Sequence, residues 1–183
     1  MFISQQLKEK NIAEYLLYMW QVEDLIRANQ YDIEKIKSRI IVPSQLSEED
    51  KEKEIRWFEE LIQMMQREGV LEKGHLQINK NVITWLTDLH LRLLKSPKFP
   101  YYEAAYYKVL PYIVELRAKG ANKEEPELET CFDALYGMLM LRLQQKEINA
   151  ETLKAKEAIT TLLSMLSDYY YQDKAGTLEF EYR

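Results

Sequence analysis

Apolar side chains recur every three to four residues along most of this chain, which is the spacing of one face of an α-helix. The clearest stretch follows Asn11, a residue type that caps helix N-termini, and continues to about Asn29. Its apolar positions lie on most sides of the helix and include Ile12, Leu16, Met19, Trp20, Val22 and Ile26. A helix that is apolar on most sides is surrounded by protein, so we predict that this helix is central.

The same periodicity predicts six further helices, whose ends are marked by capping residues, glycines and prolines. They run over 32–42, from Ser47 to before Gly69, from Asn79 or Asn81 to Ser96, from Pro100 to about Lys119, from about Pro126 to Lys146, and from Asn149 to before Gly176. Pro111 lies inside the fifth helix of the chain and predicts a bend or a break near Val109 or Leu110. After Gly176, residues 177–183 alternate apolar and polar side chains, which is typical of a lone strand or an extended arm.

The composition supports a helical fold. Of 183 residues, 46% are hydrophobic and 30% are charged, with only 5 Gly and 5 Pro, whereas strands and their turns usually need more Gly, Pro, Val and Thr. A domain usually has about 100–200 residues. We therefore predict a single all-α domain over residues 1–183, a helical bundle of about six or seven helices with a central N-terminal helix and a short extended C-terminal arm.

Charge patterning bears on partners and location. The chain has 30 acidic and 25 basic residues, a net charge of −5, and the two signs are mixed along the sequence. Mixed charges of this kind do not favour a nucleic acid or a membrane as partner. The N-terminus has no basic segment followed by an apolar run, and no apolar run approaches the ~18 residues of a membrane span. We therefore expect a cytoplasmic protein.

Residue counts and motifs argue against several kinds of chemistry. Two histidines and one cysteine, Cys131, cannot form a three-histidine or thiolate metal site within one chain. The one Glu-x-x-His string, from Glu72 to His75, spans a glycine turn instead of a helix. The sequence has neither a Gly-x-Ser-x-Gly motif nor a phosphate-binding glycine-rich loop. We therefore expect no metal, no cofactor and no catalytic residue.

Glu23 interrupts the most apolar sector of the first helix. At about 100° per residue, Glu23 projects close to the direction of Leu16 and Met19, and Arg27 follows one turn later. One interpretation is a buried ion pair that fixes how the helix packs. The other is an acid and a cation inside a pocket that does chemistry or binds a ligand.

Two other polar residues, His90 and Arg142, also interrupt apolar helix faces. If their helices share a core with the first helix, we expect four residues to converge: Glu23, Arg27, His90 and Arg142. A buried Arg142 then needs a carboxylate partner such as Glu23, because burial of an unpaired charge is costly. In the alternative interpretation, Arg142 reaches solvent from the edge of the bundle and His90 is a hydrogen-bonded core histidine. These four residues are the candidate polar pocket or buried ion pair.

Tyrosine is unusually frequent, with 13 residues, and eight of them lie in two helical segments, 101–112 and 169–171. Its large apolar body and polar tip suit interfaces and pocket rims. Alternatively, these tyrosines cover a half-exposed helix face, because tyrosine commonly has intermediate burial. The candidate interface residues are Tyr101, Tyr102, Tyr106, Tyr107, Tyr169, Tyr170, Tyr171, Phe180 and Tyr182.

The segment Asn-Ile-Ala-Glu-Tyr-Leu-Leu-Tyr-Met-Trp-Gln-Val-Glu-Asp-Leu-Ile-Arg-Ala, from Asn11 to Ala28, resembles the N-terminal signature of an uncharacterised bacterial family, a domain of unknown function. In size and helical character the resemblance extends over the whole chain. It implies a small soluble protein with no assigned activity, cofactor or catalytic residues. No residue role follows from it.

Two functional hypotheses follow from the residues themselves. The first is a non-catalytic cytoplasmic interaction or structural protein that forms a homo-oligomer, such as a dimer, through the Tyr-rich surface or the C-terminal arm. The alternative is a small-ligand-binding protein or an enzyme with a buried polar pocket around Glu23, Arg27, His90 and Arg142.

Overall fold

The computed structural model describes residues 1–120 and 122–181, and the prediction of an all-α fold is confirmed. The described residues form eight α-helices and no strand. The helices are α1 Phe2–Lys10, α2 Ile12–Ala28, α3 Ile33–Ile36, α4 Glu48–Arg67, α5 Gln77–Lys95, α6 Pro100–Ala118, α7 Glu127–Leu143 and α8 Ala150–Lys174. Helix α3 continues into a π-helical turn over Lys37–Ile41.

Three helices begin at the capping residues that the sequence predicts. The side chains of Asn11, Ser47 and Asn149 each accept a hydrogen bond from the backbone N–H three residues further on, at 3.1, 3.2 and 2.8 Å. Each bond satisfies one of the N–H groups that a helix start leaves unpaired. The starts of α2, α4 and α8 are therefore set by interactions between residues close together in sequence.

Helix α1 is not among the predicted helices. Only Ser4 of α1 is buried, and the residue before it, Met1, provides no side-chain cap. The segment therefore has neither the apolar stripe nor the capping residue by which a helix is recognised in sequence. Its packing against α2 is a tertiary feature.

Helix α6 runs from Pro100 to Ala118 without a break at Pro111. Of the bend or break predicted near Val109 or Leu110, the break does not occur. Proline in a helix removes one backbone hydrogen bond and crowds the preceding turn. On either side of Pro111, Val109 and Ile113 are buried in the core. Burial of these side chains stabilises the helical backbone around the proline.

Residues Met1–Val82 form one compact unit. Within it, α2 is buried on most of its circumference, through Ile12, Ala13, Tyr15, Leu16, Met19, Trp20, Val22, Glu23 and Ile26. Helix α4, in contrast, buries only Phe58, Leu61 and Met65. Glu23 therefore lies on the most enclosed helix of this unit.

Residues Ile83–Arg183 form the second compact unit, in which α6, α7 and α8 pack on one another. Tyr102, near the start of α6, contacts Tyr169, near the end of α8, with ring centroids 5.9 Å apart. Helices α6 and α8 are therefore antiparallel neighbours. That the two units make a single domain over residues 1–183 stays a prediction.

Candidate functional site

The carboxylate of Glu23 is 1% exposed and accepts three hydrogen bonds. Its Oε2 lies 2.6 Å from Nδ1 of His75, and its Oε1 accepts the backbone N–H of Leu76 at 2.9 Å and Nδ2 of Asn79 at 2.6 Å. An ionised carboxylate can only accept, so Nδ1 of His75 carries the proton of the shared bond. Three donors make burial of this acid tolerable.

The imidazole of His75 is held in one orientation. Its ring stacks on the indole of Trp20, with centroids 4.3 Å apart and planes 14° apart, while Nδ1 is fixed by Glu23. The side chain remains 28% exposed, and Nε2 has no hydrogen-bond partner among the described residues. Because the ring plane and Nδ1 are both held, Nε2 points in a fixed direction.

Arg27 bonds to the loop between α4 and α5, residues 68–76, and not to Glu23. Its Nε donates to the carbonyl of Leu71 at 3.0 Å, and Nη2 donates to those of Val70 at 2.9 Å and Gly74 at 2.5 Å. Nη1 donates to Asp24 at 2.8 Å. The expected ion pair between Glu23 and Arg27 is absent from the described residues because each side chain has a better partner set on the loop.

Glu23 and Arg27 thus both bind one loop, and we call the two residues the α2 clamp. Glu23 accepts from donors at the end of the loop, and Arg27 donates to its carbonyls. Gly74 has φ of +87°, a conformation that side chains with a Cβ rarely adopt, and its carbonyl is one of those bound by Arg27. The clamp fixes the loop and thereby the position of His75.

His90 belongs to the second unit, is 3% exposed, and has Nδ1 2.6 Å from the hydroxyl of Tyr102. Burial lowers the pKa of His90 to about 4, against a smaller opposing effect of Glu127. Burial also raises the pKa of Tyr102. The contact therefore joins two neutral groups, as expected for a hydrogen-bonded core histidine.

Arg142 is exposed in the last turn of α7, in line with the interpretation that it reaches solvent. No hydrogen bond or ion pair in the described parts of the chain joins it to His90. Glu23 and Arg27 lie in the first unit, whereas His90 and Arg142 lie in the second. The structure brings Glu23 together with His75 and Asn79, and His90 together with Tyr102.

The candidate interface tyrosines differ widely in burial. Tyr102 and Tyr170 are buried, Tyr106, Tyr169, Tyr171 and Phe180 are half-buried, and Tyr101 and Tyr107 are exposed. Tyr182 lies outside the described residues. Burial and a 2.8 Å hydrogen bond to Glu127 raise the pKa of Tyr106 to about 12. Much of this set therefore builds an internal aromatic cluster, and Tyr101 and Tyr107 are its outward-facing members.

A groove of about 420 Å³ lies between α6 and α8 beside Tyr101. Tyr101, Ala104, Ala105 and Lys108 line it from α6, and Lys154, Glu157, Ala158, Thr161 and Met165 line it from α8. Three alanines leave space that larger side chains would fill. We call it the α6–α8 groove.

The described part of the C-terminal arm, residues 177–181, has no regular secondary structure and contacts its own chain. The ring of Phe180 lies 5.5 Å from that of Phe99, and the Arg92 guanidinium lies 4.9 Å from the Phe180 centroid. The backbone N–H of Glu181 donates to Oγ of Ser96 at 3.1 Å. The arm is therefore a tethered segment that contacts the helices of the second unit.

Sequence reasoning identified Glu23 but not its partners. His75 and Asn79 lie 52 and 56 residues further along the chain, and helical periodicity carries no information about such pairs. One signal was present: Glu72-Lys-Gly-His75 places a histidine directly after a glycine turn. As a metal motif this string predicts nothing about a bond to Glu23.

No described helix is long and apolar enough to cross a membrane.

Comparisons with known proteins place the chain in a family. No curated protein and no solved structure matches the sequence. A family model described as "Domain of unknown function (DUF4924)" matches residues 1–177, which confirms the expected relation to an uncharacterised domain. The chain belongs to the DUF4924 family.

Proposed function

We propose that this protein is a non-catalytic interaction protein of the bacterial cytoplasm that self-associates as a homodimer through α6 and α8. The observation that carries the proposal is the position of Tyr101, whose side chain is 83% exposed beside the α6–α8 groove. Tyrosine side chains are enriched at protein interfaces because they bury a large apolar area and keep a polar tip.

Shape supports a second copy as the partner. In a two-fold dimer the same patch occurs on both sides of the interface, so Tyr101 of each copy enters the groove of the other. The small side chains of Ala104, Ala105 and Ala158 leave room for an aromatic ring. Such an aromatic anchor in a pocket is the usual form of an interface hot spot.

Charge also favours self-complementarity. Lys108 and Lys154 line the groove together with Glu157, so the surface carries both signs. When two copies meet about a two-fold axis, basic groups of one can face acidic groups of the other. Tyr107 and Val114 are also exposed on α6 and add apolar area to the surface of this helix.

Sedimentation at several protein concentrations tests the dimer. We expect the wild type to dimerise and both Tyr101→Ser and Ala104→Arg to weaken the dimer by about tenfold or more, because one removes the anchor and the other fills its groove. Leu143→Ser, which changes an exposed apolar residue at the end of α7, is the matched control and leaves the dimer unchanged. A wild type that stays monomeric at the highest soluble concentration contradicts the proposal.

The alternative function, a small-ligand site at Glu23, has one specific observation in its favour. The imidazole of His75 is held in one orientation, and its Nε2 has no hydrogen-bond partner in the part of the chain that the structure describes. The other residues expected in this site do not join it. Arg27 binds the loop, His90 is buried against Tyr102, and Arg142 is exposed. Ligands that raise the melting temperature of the wild type but not of His75→Ala support this alternative, since Nε2 is the group that would contact them. Ligands that stabilise both proteins equally bind elsewhere, and a screen without such a difference contradicts a site at His75.

A further inference from the structure

The C-terminal arm contacts a small set of residues at the end of α5 and in the loop that follows it. We call Arg92, Ser96, Lys98 and Phe99 the arm socket. The socket holds Phe180 between an aromatic ring and a guanidinium, and it receives a backbone N–H of the arm at Ser96. Nζ of Lys98 lies 3.4 Å from Oε2 of Glu179. An aromatic residue flanked by acidic residues therefore meets an aromatic and basic surface.

The socket is rigid independently of the arm. Both terminal nitrogens of Arg92 donate to the carboxylate of Asp173, at 2.9 and 2.6 Å, which fixes the guanidinium plane. The hydrogen bond to Asp173 also raises the pKa of Arg92. The ring of Phe99 packs edge-on against Tyr169 at 5.2 Å. A platform held in this way loses little conformational freedom when a peptide binds.

The arm itself is weakly held. It follows Gly176, whose φ is +68°, and none of its described residues is fully buried. Glu179 and Glu181 are exposed, and Phe180 is half-buried. Segments with few buried contacts open locally at low free-energy cost. The arm can therefore leave the socket while the helices remain folded.

We infer that the arm socket also receives the arm of a second copy, so that two chains exchange their C-terminal arms. Segment exchange reuses the contacts seen within one chain and changes only the hinge, here at Gly176. The acidic and aromatic chemistry of the arm matches the socket, which favours this segment over an unrelated one. The exchange rests on the proposed self-association. The chain's own tethered arm is present at its socket at an effective concentration of about millimolar. The arm of a second copy therefore competes for the socket only when the two copies are already held together.

A cysteine trap tests the exchange in the full-length chain. One chain carries Ser96→Cys and the other carries Glu181→Cys, and neither chain can then form this disulfide internally. The 3.1 Å contact between these two residues places them close enough for a disulfide. The native Cys131 is fully buried, and burial raises the pKa of its thiol to about 12, so it does not compete.

We expect a mixture of the two chains to give a covalent heterodimer under mild oxidation. Adding Phe180→Ala to the Glu181→Cys chain should lower the yield by about tenfold, because the aromatic anchor is lost. As a matched control, a chain with Leu143→Cys offers an exposed thiol far along the sequence from the arm and should give no heterodimer with Ser96→Cys.

The outcomes separate this inference from the proposed function. A wild type that dimerises in sedimentation while the mixture gives no heterodimer overturns arm exchange and leaves the groove dimer standing. Heterodimer yields that do not respond to Phe180→Ala also overturn the exchange. If a labelled peptide of residues 177–183 binds the full chain carrying Phe180→Ala but the mixture gives no heterodimer, the socket accepts the free segment but not the arm of a second copy. That outcome also overturns the exchange.

Discussion

Replacing Glu23 by glutamine is expected to lower the free energy of unfolding by about 1–3 kcal/mol. The buried carboxylate accepts from His75, Leu76 and Asn79, and an amide can accept at only one of its two ends. At least one donor of the loop then faces an NH2 group, unless His75 moves its proton to Nε2. Urea denaturation monitored by circular dichroism measures the change.

Two further variants make this result decisive. Glu23→Ala removes all three acceptor bonds and should cost about 3 kcal/mol or more, because buried donors are left without partners. Glu60→Gln, an exposed change of the same type on α4, should stay within about 0.5 kcal/mol. If Glu23→Gln behaved like Glu60→Gln, the carboxylate would not be holding the loop.

Acid is expected to destabilise the protein through His90, by up to about 3 kcal/mol as the pH falls from about 7 to about 4. The pKa of His90 is lowered from 6.5 to about 4 in the folded chain, so the unfolded chain takes up a proton first. Stability is therefore complete above pH 6.5 and is lost as the pH falls towards the folded-state pKa. Since one pKa unit corresponds to about 1.4 kcal/mol, the shift sets the size of the effect.

The contribution of His90 is isolated by comparison with variants, because carboxylates titrate over the same range. The free energy of unfolding of His90→Gln is expected to fall less steeply with acid than that of the wild type, since glutamine does not titrate. His75→Gln is the matched control, because it removes the other histidine and should keep the steep acid dependence of His90. Parallel pH profiles for the wild type and His90→Gln would show that folding does not lower the pKa of His90.

The α2 clamp illustrates why a correct residue can be given an incorrect partner. Helical periodicity placed Glu23 among apolar side chains, and the structure buries it. Arg27 was its expected partner because residues four apart on a helix are neighbours. That rule considers one helix alone, whereas the loop at 68–76 supplies two of the three donors that Glu23 accepts from and the carbonyls that Arg27 binds.

The tyrosines show a related difference between composition and position. Their number and spacing indicated an unusual aromatic surface, but spacing alone did not separate Tyr101 from Tyr102. Adjacent residues on a helix point about 100° apart, so one faces the core and the other faces solvent. Burial of Tyr102 against His90 and exposure of Tyr101 beside the groove are decided by how α6 packs on its neighbours.

The sequence by itself determined the features that depend on local interactions. These are the all-α class, the starts of α2, α4 and α8 at capping residues, and the burial of α2. Capping and apolar periodicity act within a few residues, so the pattern of the chain contains them.

Tertiary structure alone decided the rest. Helix α1 lacks a cap and an apolar stripe. The partners of Glu23, His90 and Phe180 lie between 12 and 88 residues away along the chain. Buried polar groups must find partners wherever packing brings donors and acceptors together, and a single sequence does not state which distant segments meet.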